Sequence, residues 1–118
     1  MLKLKFQTIL VISILVAGCD TLNWRSNVKV TYEVTGTANN VMINYSSGSD
    51  AVDQEKAIEL PWSREVEVKR GREIYIMSRS LHEGERQLTA KILKDGEILD
   101  STEVNASFAV AIARAKAK

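Results

Sequence analysis

Hydrophobic and polar residues alternate with a period of two along most of the chain. Val28, Val30, Tyr32 and Val34 are separated by Lys29, Thr31 and Glu33. Successive side chains of a strand point to opposite faces, so this spacing predicts a strand with one buried side. Val41, Ile43 and Tyr45 repeat it against Met42 and Asn44. Ile58, Leu60 and Trp62 alternate with Glu59 and Pro61, and Val66 and Val68 with Glu65, Glu67 and Lys69. Ile74 and Ile76 follow, then Leu88, Ala90 and Ile92, then Ile98, and Phe108, Val110 and Ile112 close the series.

Turn signals separate these runs: Ser46 to Asp50, Arg70-Gly71, Glu83-Gly84 and Lys94-Asp95-Gly96-Glu97. The Asp95-Gly96 pair is the strongest, because a two-residue hairpin turn needs positive φ at both central positions. About seven or eight short strands with frequent turns describe an antiparallel sandwich or a small barrel. An immunoglobulin-like β-sandwich fits better, its inner faces sharing Tyr32, Tyr45, Trp62 and Phe108 with the branched aliphatics. Pro61 cannot donate to a ladder, so it marks an edge, a bulge or a strand changing sheets. The alanines of the segment 106–118 suit a helix, but Phe108, Val110 and Ile112 keep strand spacing. The expectation is a domain over 28–113 whose last strand ends near Ala113, followed by a loose basic tail, 114–118.

The amino terminus follows a different pattern. Lys3 and Lys5 precede an apolar stretch from Phe6 to Ala17, which ends in Leu15-Val16-Ala17-Gly18-Cys19. A charged start, a short apolar core and small residues before the cut are the parts of a secretory signal. The stretch is well short of the roughly 20 residues a spanning helix needs. The expectation is a cleaved bacterial lipoprotein signal, 1–18, with lipid on Cys19, and an uncleaved anchor is the alternative. Each buried methylene contributes about 0.8 kcal/mol and one acyl chain holds only reversibly. Lipoproteins of this type carry two or three, so attachment to the membrane is expected to be permanent. Asp20 resembles the signal that retains a lipoprotein in the inner membrane of Gram-negative cells, on its periplasmic face. The segment 19–27 is a short tether, with an extended reach from Asp20 under about 30 Å and a coil span of roughly 15 Å.

Composition then narrows the chemistry. The chain has 16 basic and 15 acidic residues, and loss of Lys3 and Lys5 leaves the exported part close to neutral. Strong attraction to nucleic acid is not indicated. Cys19 is the one cysteine, so no intramolecular disulfide forms. His82 is the one histidine, in Leu81-His82-Glu83-Gly84-Glu85, which suits a solvated turn better than a metal site. With no second histidine and no free thiol, serine or cysteine hydrolase chemistry of the usual kind has little support. Glu65 and Glu67 share a strand face with Lys69, as on a wet sheet surface. Asp50, Asp53 and Glu55 flank a serine-rich loop without the spacing or glycine of a calcium loop. The reading is therefore non-enzymatic, with no cofactor and no metal. Lys69, Arg70, Arg72, Arg114, Lys116 and Lys118 are candidates for contact with an anionic membrane or a partner, each contributing about 1 kcal/mol near such a surface.

Val30-Thr31-Tyr32-Glu33-Val34-Thr35-Gly36-Thr37-Ala38 resembles the opening strand of the mycobacterial small membrane protein (MmpS) family. So do Val41 to Tyr45, the Leu60-Pro61-Trp62-Ser63 step, and Ile92 to Ile98 with its Asp95-Gly96 hairpin. These stand in the family's order over residues 28–100. The resemblance implies a β-sandwich on a membrane anchor that acts as an accessory to export transporters of the resistance-nodulation-division type. In the family the anchor is a transmembrane helix, where this chain has Cys19, and a late-strand cysteine stands where this chain has Ala90. Two functions follow as expectations: an accessory lipoprotein that docks on such a transporter, or a lipoprotein carrier holding a small apolar ligand.

Overall fold

The computed structural model describes residues 27–118; Cys19, Asp20 and the signal lie outside them. Eight antiparallel strands form two four-stranded sheets, and no helix occurs among the described residues. The strands are β1 (Asn27–Gly36), β2 (Val41–Ser47), β3 (Ala51–Ala57), β4 (Trp62–Lys69), β5 (Glu73–Ser80), β6 (Glu85–Lys94), β7 (Glu97–Ser107) and β8 (Val110–Lys116). One sheet runs β4-β1-β6-β7 and the other β3-β2-β5-β8. The chain stays within a sheet at the β2–β3 and β6–β7 hairpins and changes sheets at the other connections. The alternating residues do what their spacing predicts. Val28, Val30, Tyr32 and Val34 of β1, with Leu88, Ala90 and Ile92 of β6, face Val41, Ile43 and Tyr45 of β2 and Ile74 and Ile76 of β5. Full burial of a branched side chain of this kind contributes about 1.5–3 kcal/mol. The Asp95-Gly96 turn has φ of 53° and 79°, as its sequence requires.

Several expectations change. Ile58, Leu60 and Trp62 do not form one strand. β3 ends at Ala57 and β4 begins at Trp62, with the cis Leu60-Pro61 peptide where the chain changes sheets. β3, which carries Asp53 and Glu55 beside the serine-rich loop, has no counterpart among the runs that alternation marks. It is an edge strand with one buried residue, Ala57, so its sequence carries no apolar face to read. Ile98 is exposed, because a bulge at Ile92/Leu93 pairs it with Leu93 on the outer face. Phe108 is not in the core. It occupies the β7–β8 turn with φ 51° and is half exposed. The core phase of β8 is therefore the opposite of the one predicted: Ala109, Ala111 and Ala113 point inward, and Val110 is exposed on the outer face with Ile112 half-buried beside it. Alanine lets β8 lie close over β6 and β7, where a larger side chain would overpack. Nor is 114–118 a loose tail. β8 runs to Lys116, and Ala117 is buried with its N–H on the Arg72 carbonyl at 2.8 Å.

The two sheets are tied at one corner. The buried Tyr32 hydroxyl donates to the Ser46 carbonyl at 2.7 Å, across from one sheet to the other. Two residues on, Gly48 joins the end of β4: its N–H meets the Glu67 carbonyl at 2.8 Å, and the Lys69 N–H meets its carbonyl at 2.9 Å. The Arg72 guanidinium closes the corner by donating to the carbonyls of Ser47, Gly48 and Ala51 at 2.7, 3.3 and 3.1 Å. On the opposite side, Asp100 of β7 accepts the Arg114 N–H at 2.8 Å, occupying part of the free edge of β8.

Burial holds the Tyr32 hydroxyl protonated far into alkali. Tyr32→Phe keeps the ring and removes the donor, leaving the Ser46 carbonyl short of a partner. We expect a loss of about 1–3 kcal/mol, read as a lower urea midpoint with an unchanged denaturant slope.

Candidate functional site

The antiparallel strands place all connections at two ends of the sandwich, and the two ends differ in chemistry. At one end lie the β2–β3, β4–β5 and β6–β7 turns, the carboxyl terminus and Asn27, where the tether would enter. Asn27 pairs with Lys69, and Glu73 pairs with Lys116. Lys69-Arg70 and Arg114-Lys116-Lys118, more than forty residues apart in sequence, thus meet at the tether end. Arg72 belongs to the same end, but its guanidinium is committed to the corner and is not free to bind a partner. Arg114 and Lys116 project outward from β8 and are exposed, as are Lys69, Arg70 and Lys118. The Lys118 carbonyl accepts from the Lys94 ammonium.

At the far end, the β1–β2, β3–β4, β5–β6 and β7–β8 connections converge on Asn40. Its N–H meets the Ile58 carbonyl at 3.1 Å, its carbonyl accepts from Leu81 at 3.3 Å, and its amide contacts His82 Nε2 at 2.8 Å. The Ser80 N–H meets the Ala109 carbonyl at 2.9 Å. Asn40 holds φ 51°, which asparagine tolerates better than most residues. Gly36 passes so close to β6 that a Cβ there would lie 2.0 Å from the Gln87 carbonyl oxygen. This network displays three large apolar residues. Ile58 is 69% exposed, Phe108 52% and Leu81 37%. They extend β3, β5 and β8 of one sheet, whose strands are about 4.8 Å apart, so the row is roughly 15 Å long. Two of the three, Ile58 and Phe108, are residues that periodicity assigned to the core. Leu81 stood only in a turn context.

The open side between edge strands β3 and β4 is closed by a polar clasp. The rings of Tyr32, Tyr45 and Trp62 step outward with centroids 5.4 and 5.5 Å apart. The Tyr45 hydroxyl donates to Glu55 of β3, and Arg64 of β4 donates to the same carboxylate, its Nε at 2.9 Å. The Arg64 guanidinium also lies 6.0 Å from the Trp62 ring. Arg64 and Tyr45 together hold the Glu55 carboxyl below the usual carboxylate range. Burial, and then Glu55, push the Tyr45 hydroxyl up to about 12.

The other singled-out residues are dispersed or engaged. His82 sits in the turn expected of it, its ring nitrogen taken by Asn40. Glu65 and Glu67 project from the outer face of β4 beside Lys69. Asp50 lies in a turn, Asp53 on an edge strand, and Glu55 in the clasp. Among the described residues no three of His, Cys, Asp and Glu gather closely enough to hold a metal ion. What the arrangement offers is contact chemistry: exposed cations gathered at one end, where Val52 and Ile98 are also exposed, and the row of Ile58, Leu81 and Phe108 at the other.

The depressed Glu55 pKa fixes the sign of one pH effect. The stabilisation is complete above the unfolded carboxyl value and is lost as pH falls through the folded one. Thermal midpoints measured between pH 7 and pH 3 should therefore fall more steeply for the parent chain than for Glu55→Gln. The difference should shrink in high salt, because the pair is partly exposed and screened.

No protein-family model matches this chain, and no curated protein matches it in sequence.

Proposed function

We propose that the chain is a non-enzymatic accessory lipoprotein, held to its membrane by lipid at Cys19. In this reading its sandwich docks on the exported part of a membrane export transporter of the resistance-nodulation-division type. The observation that carries the reading is the far-end row of Ile58, Leu81 and Phe108, displayed by a hydrogen-bonded network on the end opposite the tether. Exposed hydrocarbon grouped in this way marks a contact surface more often than isolated exposed residues do. Strands of 7 or 8 residues hold that row roughly 25 Å from the tether end, within reach of an exported domain in the same membrane. Tethering raises the local concentration of the module beside such a partner, so a small interface is sufficient.

A carrier of apolar ligands would need room between the sheets. That space is filled by Tyr32, Ile43, Ile74, Ile76, Leu88 and Ile92, all essentially without exposure. The filled core favours docking. The resemblance to the MmpS family supplies the transporter as the partner class, and Asp20 supplies the inner membrane of a Gram-negative host.

The test is purification of the native lipoprotein from its own crosslinked membrane, with mass spectrometry of what accompanies it. A large export transporter should be enriched, lost with Cys19→Ala, and reduced at least tenfold with Leu81→Asp/Phe108→Asp at unchanged protein level. Recovery of the lipoprotein with no transporter above the Cys19→Ala control would contradict the reading.

A further inference from the structure

The outer faces of the two sheets are chemically unlike. On β4-β1-β6-β7 the outward residues include Glu33, Glu65, Glu67, Glu85 and Glu103, set among threonines, serines and three lysines. On β3-β2-β5-β8, the strand register builds cross-sheet rows instead. Lys56, Met42, Arg79 and Val110 form one row, and Gln54, Asn44, Met77 and Ile112 the next. Tyr75 beside Arg114 and Glu73 beside Lys116 complete the face toward the tether end. Lys56, Arg79, Arg114 and Lys116 thus share it with a single carboxylate, Glu73. None of the four cations makes an ion pair among the described residues.

At the tether end of this face is a depression of about 540 Å³, lined by Glu73, Ile74, Tyr75, Arg114, Ala115 and Lys116. Tyr75 gives it an aromatic wall, and Glu73 and two cations without an ion pair, Arg114 and Lys116, stand around it. A guanidinium is a planar fork matched to phosphate oxygens, whereas an ammonium acts as a point charge. An aromatic body beside them suits the boundary between headgroup and hydrocarbon.

We infer that this depression seats the phosphodiester headgroup of an anionic phospholipid of the leaflet that carries the anchor. The inference deepens the proposed function and rests on its placement of the tether. Asn27 pairs with Lys69, so the tether enters at the end where the depression lies and brings it to the lipid surface. With the tether end on the leaflet, the Ile58–Leu81–Phe108 row points outward. Charge complementarity decides the occupant: an acidic partner surface would need to be supplied, whereas an anionic leaflet is already within the tether's reach.

The experiment uses the full-length lipoprotein in phosphatidylglycerol vesicles and in phosphatidylcholine vesicles. Single spin labels are placed through Tyr75→Cys, Thr31→Cys on the opposite face, and Leu81→Cys at the far end. Accessibility to a water-soluble nickel relaxant is then measured. We expect the label at position 75 to be protected at least threefold in phosphatidylglycerol relative to phosphatidylcholine, with no lipid dependence at 31 or 81. Arg114→Glu/Lys116→Glu should remove the difference, and 0.5 M salt should weaken it. Equal accessibility at 75 in both vesicles overturns the inference, as does protection at 75 that is indifferent to lipid charge, which would indicate a protein or self-contact. Lipid-dependent protection at 31 or 81 in place of 75 overturns it too. Labelling of the parent chain reports separately whether the Cys19 thiol is free. The lipid dependence at 75 is scored either way, so failure of the anchor and failure of the headgroup seat are read independently.

Discussion

The bond from the Tyr32 hydroxyl to the Ser46 carbonyl is the constraint on which the sandwich turns. No disulfide joins the sheets, so their alignment rests on packing and on the few polar links that cross between them. Tyr32 stands at the centre of β1 and reaches the last residues of β2 just before the chain turns. That contact fixes where the β2–β3 hairpin sits, and the hairpin in turn meets the end of β4 through Gly48 and the β4–β5 turn through Arg72. Once this corner is set, β3 and β4 lie side by side at the open flank. The clasp of Tyr45, Glu55 and Arg64 can then form across them. A buried carbonyl that loses its donor costs more than the bond's net contribution, which is why one hydroxyl matters in a core otherwise held by hydrocarbon.

The same alignment sorts the molecule's surface. Antiparallel strands of similar length send every connection to one of two ends. The end with Asn27 collects Lys69, Arg70, Lys116 and Lys118, whereas the other collects Ile58, Leu81 and Phe108. Arg72 shows how composition alone misleads: it belongs by sequence to the basic cluster, yet its charge is spent on three turn carbonyls. The two ends are therefore chemically unlike, with cations gathered beside Asn27 and the row of Ile58, Leu81 and Phe108 opposite.

Much of the fold was legible from the period of two. Val28 to Val34, Val41 to Tyr45, Ile74-Ile76 and Leu88 to Ile92 are buried where alternation placed them. Legibility failed where hydrophobicity and burial part company. β3 buries only Ala57, so its alternation has no apolar side to read. Ile98 was displaced by a bulge that leaves no mark in the pattern. In the last strand the larger apolar residues face outward and the small ones inward. An alternative signal was present there: alanine at every second position from Ala109 to Ala117. That ladder is the buried face, and it places Arg114, Lys116 and Lys118 in phase with Val110 and Ile112. The apolar row could not be read in advance, because an apolar residue at a turn looks the same in sequence whether it is covered or displayed. The basic clusters were visible, but their adjacency required the β5–β8 pairing.

The central claim is that the far end is a protein-contact surface. Its most direct test is a photo-crosslinking amino acid at Leu81, compared with one at Ser101 on the polar outer face, irradiated in the native membrane. The account predicts one discrete high-mass adduct, a large membrane protein, from position 81 and none from position 101. Equal adducts from both positions, or none from position 81, would contradict it.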